Sequence, residues 1–441
     1  MIDYPLLLAV LGGIALLLVL ILVLRFQAFL ALLISCVCVG LLSGLPPQSI
    51  IDSIKNGMGS TLGFVATVVG LGAIFGAILE YSGGAKQLAT QLLRLAGDRG
   101  TPLALLGTGI LVSIPIFFDV AVVILVPIVY ALQRKTGKSL LFFAIPLFTG
   151  LAIAHGFIPP TPGPIAVAEI LKANLGWVIG LGIIVSIPTA VIGGLIYSRY
   201  LSAQIFLPAP ETSEEESESK IQAPSAGLIF FLIVVPILLI VGATLIPESW
   251  GTVYSLFQLI GHPFVALILA NLLAWLLLGV MRGVSLDQLL TISTKSLAPA
   301  GIIILLTGAG GAFKQILIDT GAGTMMAEMM QSWGISTLVF AFFAATVVRV
   351  LQGSTTVAMI TAASLVAPLL LGTETEAELA LLTLAIASGA TMLSHVNDSG
   401  FWLVNKYLDM TTPQTFKAWT GTTGIMGIVG FAMVLLLDLI F

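Results

Sequence analysis

Apolar runs of roughly twenty residues, the length an α-helix needs to cross about 30 Å of hydrocarbon, recur along almost the whole of this chain. Lipid admits only helices and closed barrels, and long runs without alternation select helices. Uninterrupted spans fit residues 6–24, 27–44, 60–80, 176–198, 226–246, 256–280, 297–318 and 419–440. The first run has no basic residue before it and no small-residue cleavage site behind it, so it reads as a retained helix and not a signal peptide. With 9% charged residues and a formal net charge of −4, the chain has no basic surface to organise nucleic acid. Cys36 and Cys38 lie two apart in an apolar stretch, face different sides of a helix, and read as small apolar fillers.

Four further apolar stretches, residues 103–130, 140–173, 336–370 and 379–407, are interrupted by proline, glycine or polar residues. Broken helices persist at membrane depth only where the freed backbone groups are buried in protein or line a wet cavity. The first and third are read as re-entrant hairpins, the second and fourth as discontinuous helices. The expected fold class is an all-α polytopic membrane protein made of two inverted-topology repeats with re-entrant hairpins and discontinuous helices.

If both hairpins return to the side they left, one face receives 13 lysines and arginines, from Arg25 and Lys86 to Lys406 and Lys417, and the other only Lys55 and Lys172. That excess marks the cytoplasm and puts both termini outside. The expected organisation is scaffold helices over 1–56, a first repeat over 57–200, an acidic cytoplasmic linker over 201–224, scaffold helices over 225–294 and a second repeat over 295–441. The linker contains PAPETSEEESESKIQAP, too polar to bury a core. Sliding the chain by 238 positions lays GLGAIFGAILEYSGGAKQLA from Gly70 over GAGGAFKQILIDTGAGTMMA from Gly308, with seven of twenty pairs identical. A slide of 237 lays Gly163 over Gly400. Repeats that start on opposite sides point to a secondary transporter working by alternating access.

The first hairpin turns within SIPIFFDVAVVILVP, which sets Asp119 among phenylalanines, valines and isoleucines. A carboxylate there is either a proton carrier or substrate-facing group, or a cap on the second arm of the hairpin. The first broken helix reads AHGFIPPTPGPIAVAEI, with four prolines and two glycines between His155 and Pro164. Proline removes amide donors, glycine permits close backbone approach, and the half-helix restarting near Pro164 aims its positive end at the gap. Thr161 adds a hydroxyl beside Gly163. His155 either shuttles protons or ties two helices together.

The second hairpin turns at RVLQGSTTVAMIT, where Ser354, Thr355 and Thr356 offer three hydroxyls in succession, to a ligand or to the helix as caps. Arg349 is the single arginine near pocket depth, able to balance an anion or to snorkel from the hairpin base. The last break, SHVNDSGFW, packs His395, Asn397, Asp398 and Ser399 ahead of Gly400, the densest polar cluster in the apolar region. Lys314 has either an acid or the interface as its destination; Glu80 and Asp319 are read as caps. The three histidines lack metal-site spacing and no P-loop is present. Neither an enzyme nor a cofactor is expected; a hydrolase using Ser354 with His395 and a channel are the rival classes.

Over nearly its full length the chain resembles the gluconate permease family of proton-coupled sugar-acid symporters. The resembling stretches are YSGGA at Tyr81, FFDVAVVILVPI at Phe117, HGFIPPTPGP at His155, GGAFKQIL at Gly310, QGSTTVAMITA at Gln352 and SHVNDSGFWL at Ser394. The resemblance implies a carrier of the bacterial inner membrane within the ion-transporter superfamily. It also implies a homodimer in the bilayer with a fixed scaffold and a moving, substrate-bearing domain. Many members have glutamate in the place of Asp119 and histidine in the place of Thr161. The family includes carriers of other aldonates and of D-serine, and sodium coupling through the break carbonyls is the alternative to protons. The combined expectation is one midplane site for a small hydroxylated monocarboxylate imported with a proton. Its carboxylate sits on half-helix N-termini near Gly163 or Gly400. Thr161, Ser354, Thr355, Thr356, Asn397 and Ser399 hold it with Arg349, and Asp119, His155 or Asp398 takes the proton.

Overall fold

A computed structural model describes residues 4–210, 223–322, 325 and 334–441, and among these there are helices and turns but no strand. The acidic run of the linker falls on residues outside those described. The first half comprises α1 (Tyr4–Leu22), α2 (Ala28–Leu42), α3 (Pro47–Tyr81), α4 (Gly84–Ser113), α5 (Phe118–Thr136), α6 (Leu141–Phe157), α7 (Pro162–Leu171) and α8 (Leu175–Gln204). The second comprises α9 (Ala226–Leu245), α10 (Thr252–Ile260), α11 (Pro263–Arg282), α12 (Leu286–Asp319), α13 (Thr337–Gln352), α14 (Thr355–Val366), α15 (Glu376–Thr391), α16 (Ser399–Tyr407) and α17 (Thr412–Asp438). Seven helical segments among the described residues are long and apolar enough to cross a membrane: α3, α6 with α7, α8, α9, α11, α12 and α17. Large apolar side chains point outward, among them Leu8, Leu238, Leu272 and Ile428 at 60–69% exposure, as a lipid-facing surface requires.

Two expected elements are drawn differently. Residues 256–280 are not one span: α10 ends at Gly261, and the His262 ring accepts from the Phe264 amide to cap a new helix that has Pro263 in its first turn. A Cβ on Gly261 would lie 2.3 Å from the Leu239 carbonyl, so the corner needs glycine. The first hairpin is also longer than residues 103–130, because its first arm begins at Gly84 and bends at Gly97, whose φ of +62° only glycine adopts readily.

Close helix crossings through glycine hold the apolar core together, as expected where lipid removes the hydrophobic drive between helices. α3 crosses α12 where Gly57 meets Gly311; a Cβ on either would sit 2.5 Å from the other's carbonyl. α4 crosses α6 where a Cβ on Gly109 would lie 2.3 Å from the Leu147 carbonyl and one on Gly150 would lie 2.2 Å from the Leu106 carbonyl. Fully buried Phe143, Phe148 and Phe157 pack along α6, which with α7 forms the most enclosed segment: 83% of its most apolar 18 residues are buried, against 33% in α9. The broken helix thus runs through the middle of the protein.

Candidate functional site

The two hairpins and two breaks put four short gaps into otherwise regular helices. The first hairpin turns over Ile114–Phe117 and restarts at Phe118; the second turns at Gly353, whose φ is +87°, and restarts at Thr355. The first broken helix stops at Phe157 and resumes at Pro162; the second stops at Thr391 and resumes at Ser399. Prolines 159, 160 and 162 enforce the first stop, and the Pro159–Pro160 bond is cis. Each restart presents backbone amides and the positive end of a helix dipole, worth about half an elementary charge.

Three of these restarts open on one cavity. The starts of α5 (Phe118, Asp119), α14 (Ser354, Thr355, Thr356) and α16 (Asp398, Ser399, Gly400) line it, and Arg349 closes the wall between the last two. Ala152 and His155 of α6 complete it with Thr391, Trp419 and Thr423. The space has ≈ 160 Å³ of room for water-sized molecules. At about 10–15 Å³ per water, this holds on the order of ten waters, or one small hydroxylated acid.

Its charged core is a buried ion pair. Arg349 is 3% exposed, with Nη2 2.5 Å from Asp398 Oδ2 and Nη1 donating to the Gly353 carbonyl. Its Nε has no hydrogen-bond partner among the described residues. The Asp398 carboxylate also accepts from the Ser394 hydroxyl and, through Oδ1, from the Gly400 amide at 3.1 Å. Ser394 in turn accepts from the Trp419 indole at 2.9 Å. Both carboxylate oxygens of Asp398 are therefore engaged. Asp119 differs: it is exposed toward the cavity, in the first turn of α5, and has no hydrogen bond or ion pair among the described residues. His155 is half-buried and equally free of hydrogen bonds.

Ser354 caps α14, accepting from the Val357 amide at 3.3 Å, while the hydroxyls of Thr355 and Thr356 have no hydrogen-bond partner among the described residues and belong to residues that line the cavity. Three expected site residues lie elsewhere. Thr161 is 2% exposed and donates to the Ile158 carbonyl at 2.7 Å, so its hydroxyl closes the chain turn at the break. Gly163 is buried against Met359, whose sulfur would lie 2.6 Å from an added Cβ. Asn397 donates to the Val350 carbonyl at 2.8 Å, and the His395 ring is hydrogen-bonded to the same oxygen at 2.8 Å, so these two clamp the second hairpin to the second break. Thr391, Trp419 and Thr423 were not singled out by the sequence; a threonine or tryptophan inside an apolar span carries no local signal of which way it faces. Among the described residues Lys314 pairs with no acid: its Nζ donates to the Ile170 carbonyl at 2.5 Å, at the negative end of α7. Asp319 accepts from Ser53 at 2.5 Å and Gln315 at 2.8 Å, joining α3 to the end of α12. Among the described residues no group of histidine, cysteine and acidic side chains is arranged to hold a metal ion.

The model of the GntP family permeases matches residues 4–440. The chain is 38% identical over 435 residues to the low-affinity gluconate transporter of Escherichia coli K12, covering 98% of this chain and 97% of that one. It is 37% identical to the gluconate permease of Pseudomonas aeruginosa, with 95% of each chain covered, and 35% identical to the L-idonate transporter of the Gnt-II system of E. coli K12, covering 97% and 98%. Among solved structures, the YdaH transporter of Alcanivorax borkumensis, described as having an unusual topology, superposes with a TM-score of 0.68 at 12% identity, over 94% of this chain and 98% of that one. That likeness concerns the fold.

Proposed function

This chain belongs to the GntP family of permeases, and on that premise we propose that it imports gluconate or a closely related sugar acid with protons by alternating access. The observation that carries the reading is the cavity's combination of a buried, partly unpartnered arginine, three helix starts and the free hydroxyls of Thr355 and Thr356. A carboxylate is received by the amides at the starts of α14 and α16, beside the positive charge of Arg349. The hydroxyls of the sugar chain meet Thr355, Thr356, Ser399, Thr391 and Thr423.

Charge balance supplies the coupling. With His155 neutral, the cavity holds Asp119, Asp398 and Arg349, one negative charge in excess. A second negative charge, from the substrate, is repelled in this low-dielectric surrounding unless a proton arrives with it. Asp119 and His155 have free atoms to take that proton, whereas Asp398 is occupied in holding Arg349. We therefore assign the proton to Asp119 or His155, and a positioning role to Asp398, Ser394 and Asn397.

Movement follows the repeats. In the first half a Cβ on Gly150 would lie 2.2 Å from the Leu106 carbonyl, and in the second a Cβ on Gly389 would lie 2.2 Å from the Phe342 carbonyl. These matching crossings of hairpin arm and broken helix support two units of similar build. The hairpins and broken helices form the substrate-bearing part, with α3 and α12 part of the frame; the excess of lysine and arginine puts Lys86 and Lys295 in the cytoplasm and the termini outside. The test is uptake of labelled gluconate by proteoliposomes under an inward pH gradient. Concentrative uptake abolished by a protonophore is expected. Uptake that never exceeds equilibration, or that follows a sodium gradient instead, overturns the proton reading.

A further inference from the structure

A second, much smaller space lies behind the substrate cavity and shares His155 with it. It is enclosed by the turn of the first hairpin, the first break and α3, and has ≈ 20 Å³ of room for water-sized molecules. A water needs about 10–15 Å³ and several polar partners. The wall offers His155, Thr161 and Ser113. The Ser113 hydroxyl is the telling group: the residue is 1% exposed and its oxygen has no hydrogen-bond partner among the described residues. Leaving such a group unsatisfied costs about 1–3 kcal/mol, which a single bridging water recovers.

On its far side the same space shares Ala73 and the hairpin turn Pro115–Phe117 with a larger cleft of ≈ 340 Å³. That cleft contains Glu80, Tyr81, Lys295 and Ser296. We infer that one water bound between Ser113 and His155 links the substrate cavity to this cleft and forms a proton route that the sugar acid is too large to enter. The inference rests on the proton-symport reading above. The His155 ring first takes the symported proton from the substrate cavity to become imidazolium; it gives its other N–H proton to the water, the water passes one of its own into the cleft, the Glu80 carboxylate or solvent there accepts it, and the ring returns to neutral imidazole. His155 is faced by Asp119 from the first hairpin and by Asp398 and Arg349 across the substrate cavity, and Glu80 by Tyr81 and Lys295.

The route is tested by filling it. A Cβ at Gly72 would meet nothing nearer than the Pro160 carbonyl at 3.9 Å, so Gly72→Ala is accommodated and Gly72→Val reaches into the space. Two rates are compared in proteoliposomes: uphill uptake of gluconate driven by a pH gradient, and counterflow of gluconate at equal pH, which needs no proton release. For Gly72→Val and Ser113→Ala, uphill uptake is expected to fall at least fivefold with counterflow within twofold of the parent, and Ser113→Thr, which keeps the hydroxyl, is expected to restore it. Unchanged uphill uptake in both variants, or a parallel fall of both rates in the better-folded Ser113→Ala, overturns the route alone. A parent protein without proton-driven uptake overturns the symport reading and the route with it.

Discussion

The α-carbon of Gly353 rests against the carbonyl of Asn397 so closely that a Cβ would lie 2.3 Å from that oxygen. This contact joins the second hairpin to the second break, beside the Arg349–Asp398 pair and the two hydrogen bonds onto Val350. Glycine is required twice over, by the approach and by a φ of +87°. Gly353→Ala is expected to lower the melting temperature of the purified protein and weaken gluconate binding about tenfold or more, since strain of this kind costs of order 1–3 kcal/mol. A variant with unchanged melting and affinity shows that the seam yields freely.

Removing one member of the buried pair leaves the other charge uncompensated, at a cost of about 3–5 kcal/mol. Arg349→Gln and Asp398→Asn are each expected to destabilise the protein by that order in thermal unfolding. The double substitution should recover much of the stability but none of the gluconate affinity, because the anion has lost its cation. Affinity regained in the double variant, measured by calorimetry, removes Arg349 from the carboxylate site.

The successive hydroxyls of the second hairpin divide by role. Ser354→Ala removes a helix cap and is expected to cost about 1 kcal/mol of stability. Thr355→Ala with Thr356→Ala leaves α14 capped and is expected to reduce gluconate affinity between five- and a hundredfold, at about 0.5–1.5 kcal/mol per lost hydrogen bond. Binding of a short carboxylic acid without hydroxyls should be little altered in the same double variant. Equal losses for both ligands contradict hydroxyl recognition.

Asp119→Asn keeps the shape of the first turn of α5 and removes one of the two groups proposed to take the proton. Counterflow is expected to persist, while uptake driven by a pH gradient falls to equilibration and the affinity for gluconate loses most of its dependence on pH. Retained concentrative uptake in Asp119→Asn passes the role to His155, where His155→Gln is the matching substitution.

Hydropathy is a local property, and most of the spans and the four interruptions were legible from it, whereas the corner at Gly261 was not. Twenty apolar residues have one stable form in lipid, and proline or glycine in such a run interrupts it wherever the chain goes. The unusual groups within the interruptions, Asp119, His155, Arg349, Ser354 to Thr356 and Asp398 to Gly400, stood out for the same reason. A residue's neighbours across the protein are set instead by how each helix is rotated when it packs, through crossings such as Gly57 on Gly311 and Gly150 on Leu106. Packing alone turned Thr161 and Asn397 onto backbone carbonyls and buried Gly163 on Met359. It also brought Thr391, Trp419 and Thr423 to the cavity wall and aimed Lys314 at the end of α7. Sequence determined where the helices break, because breaking is decided within a few residues; tertiary structure decided which broken ends meet, because that depends on contacts between segments hundreds of residues apart.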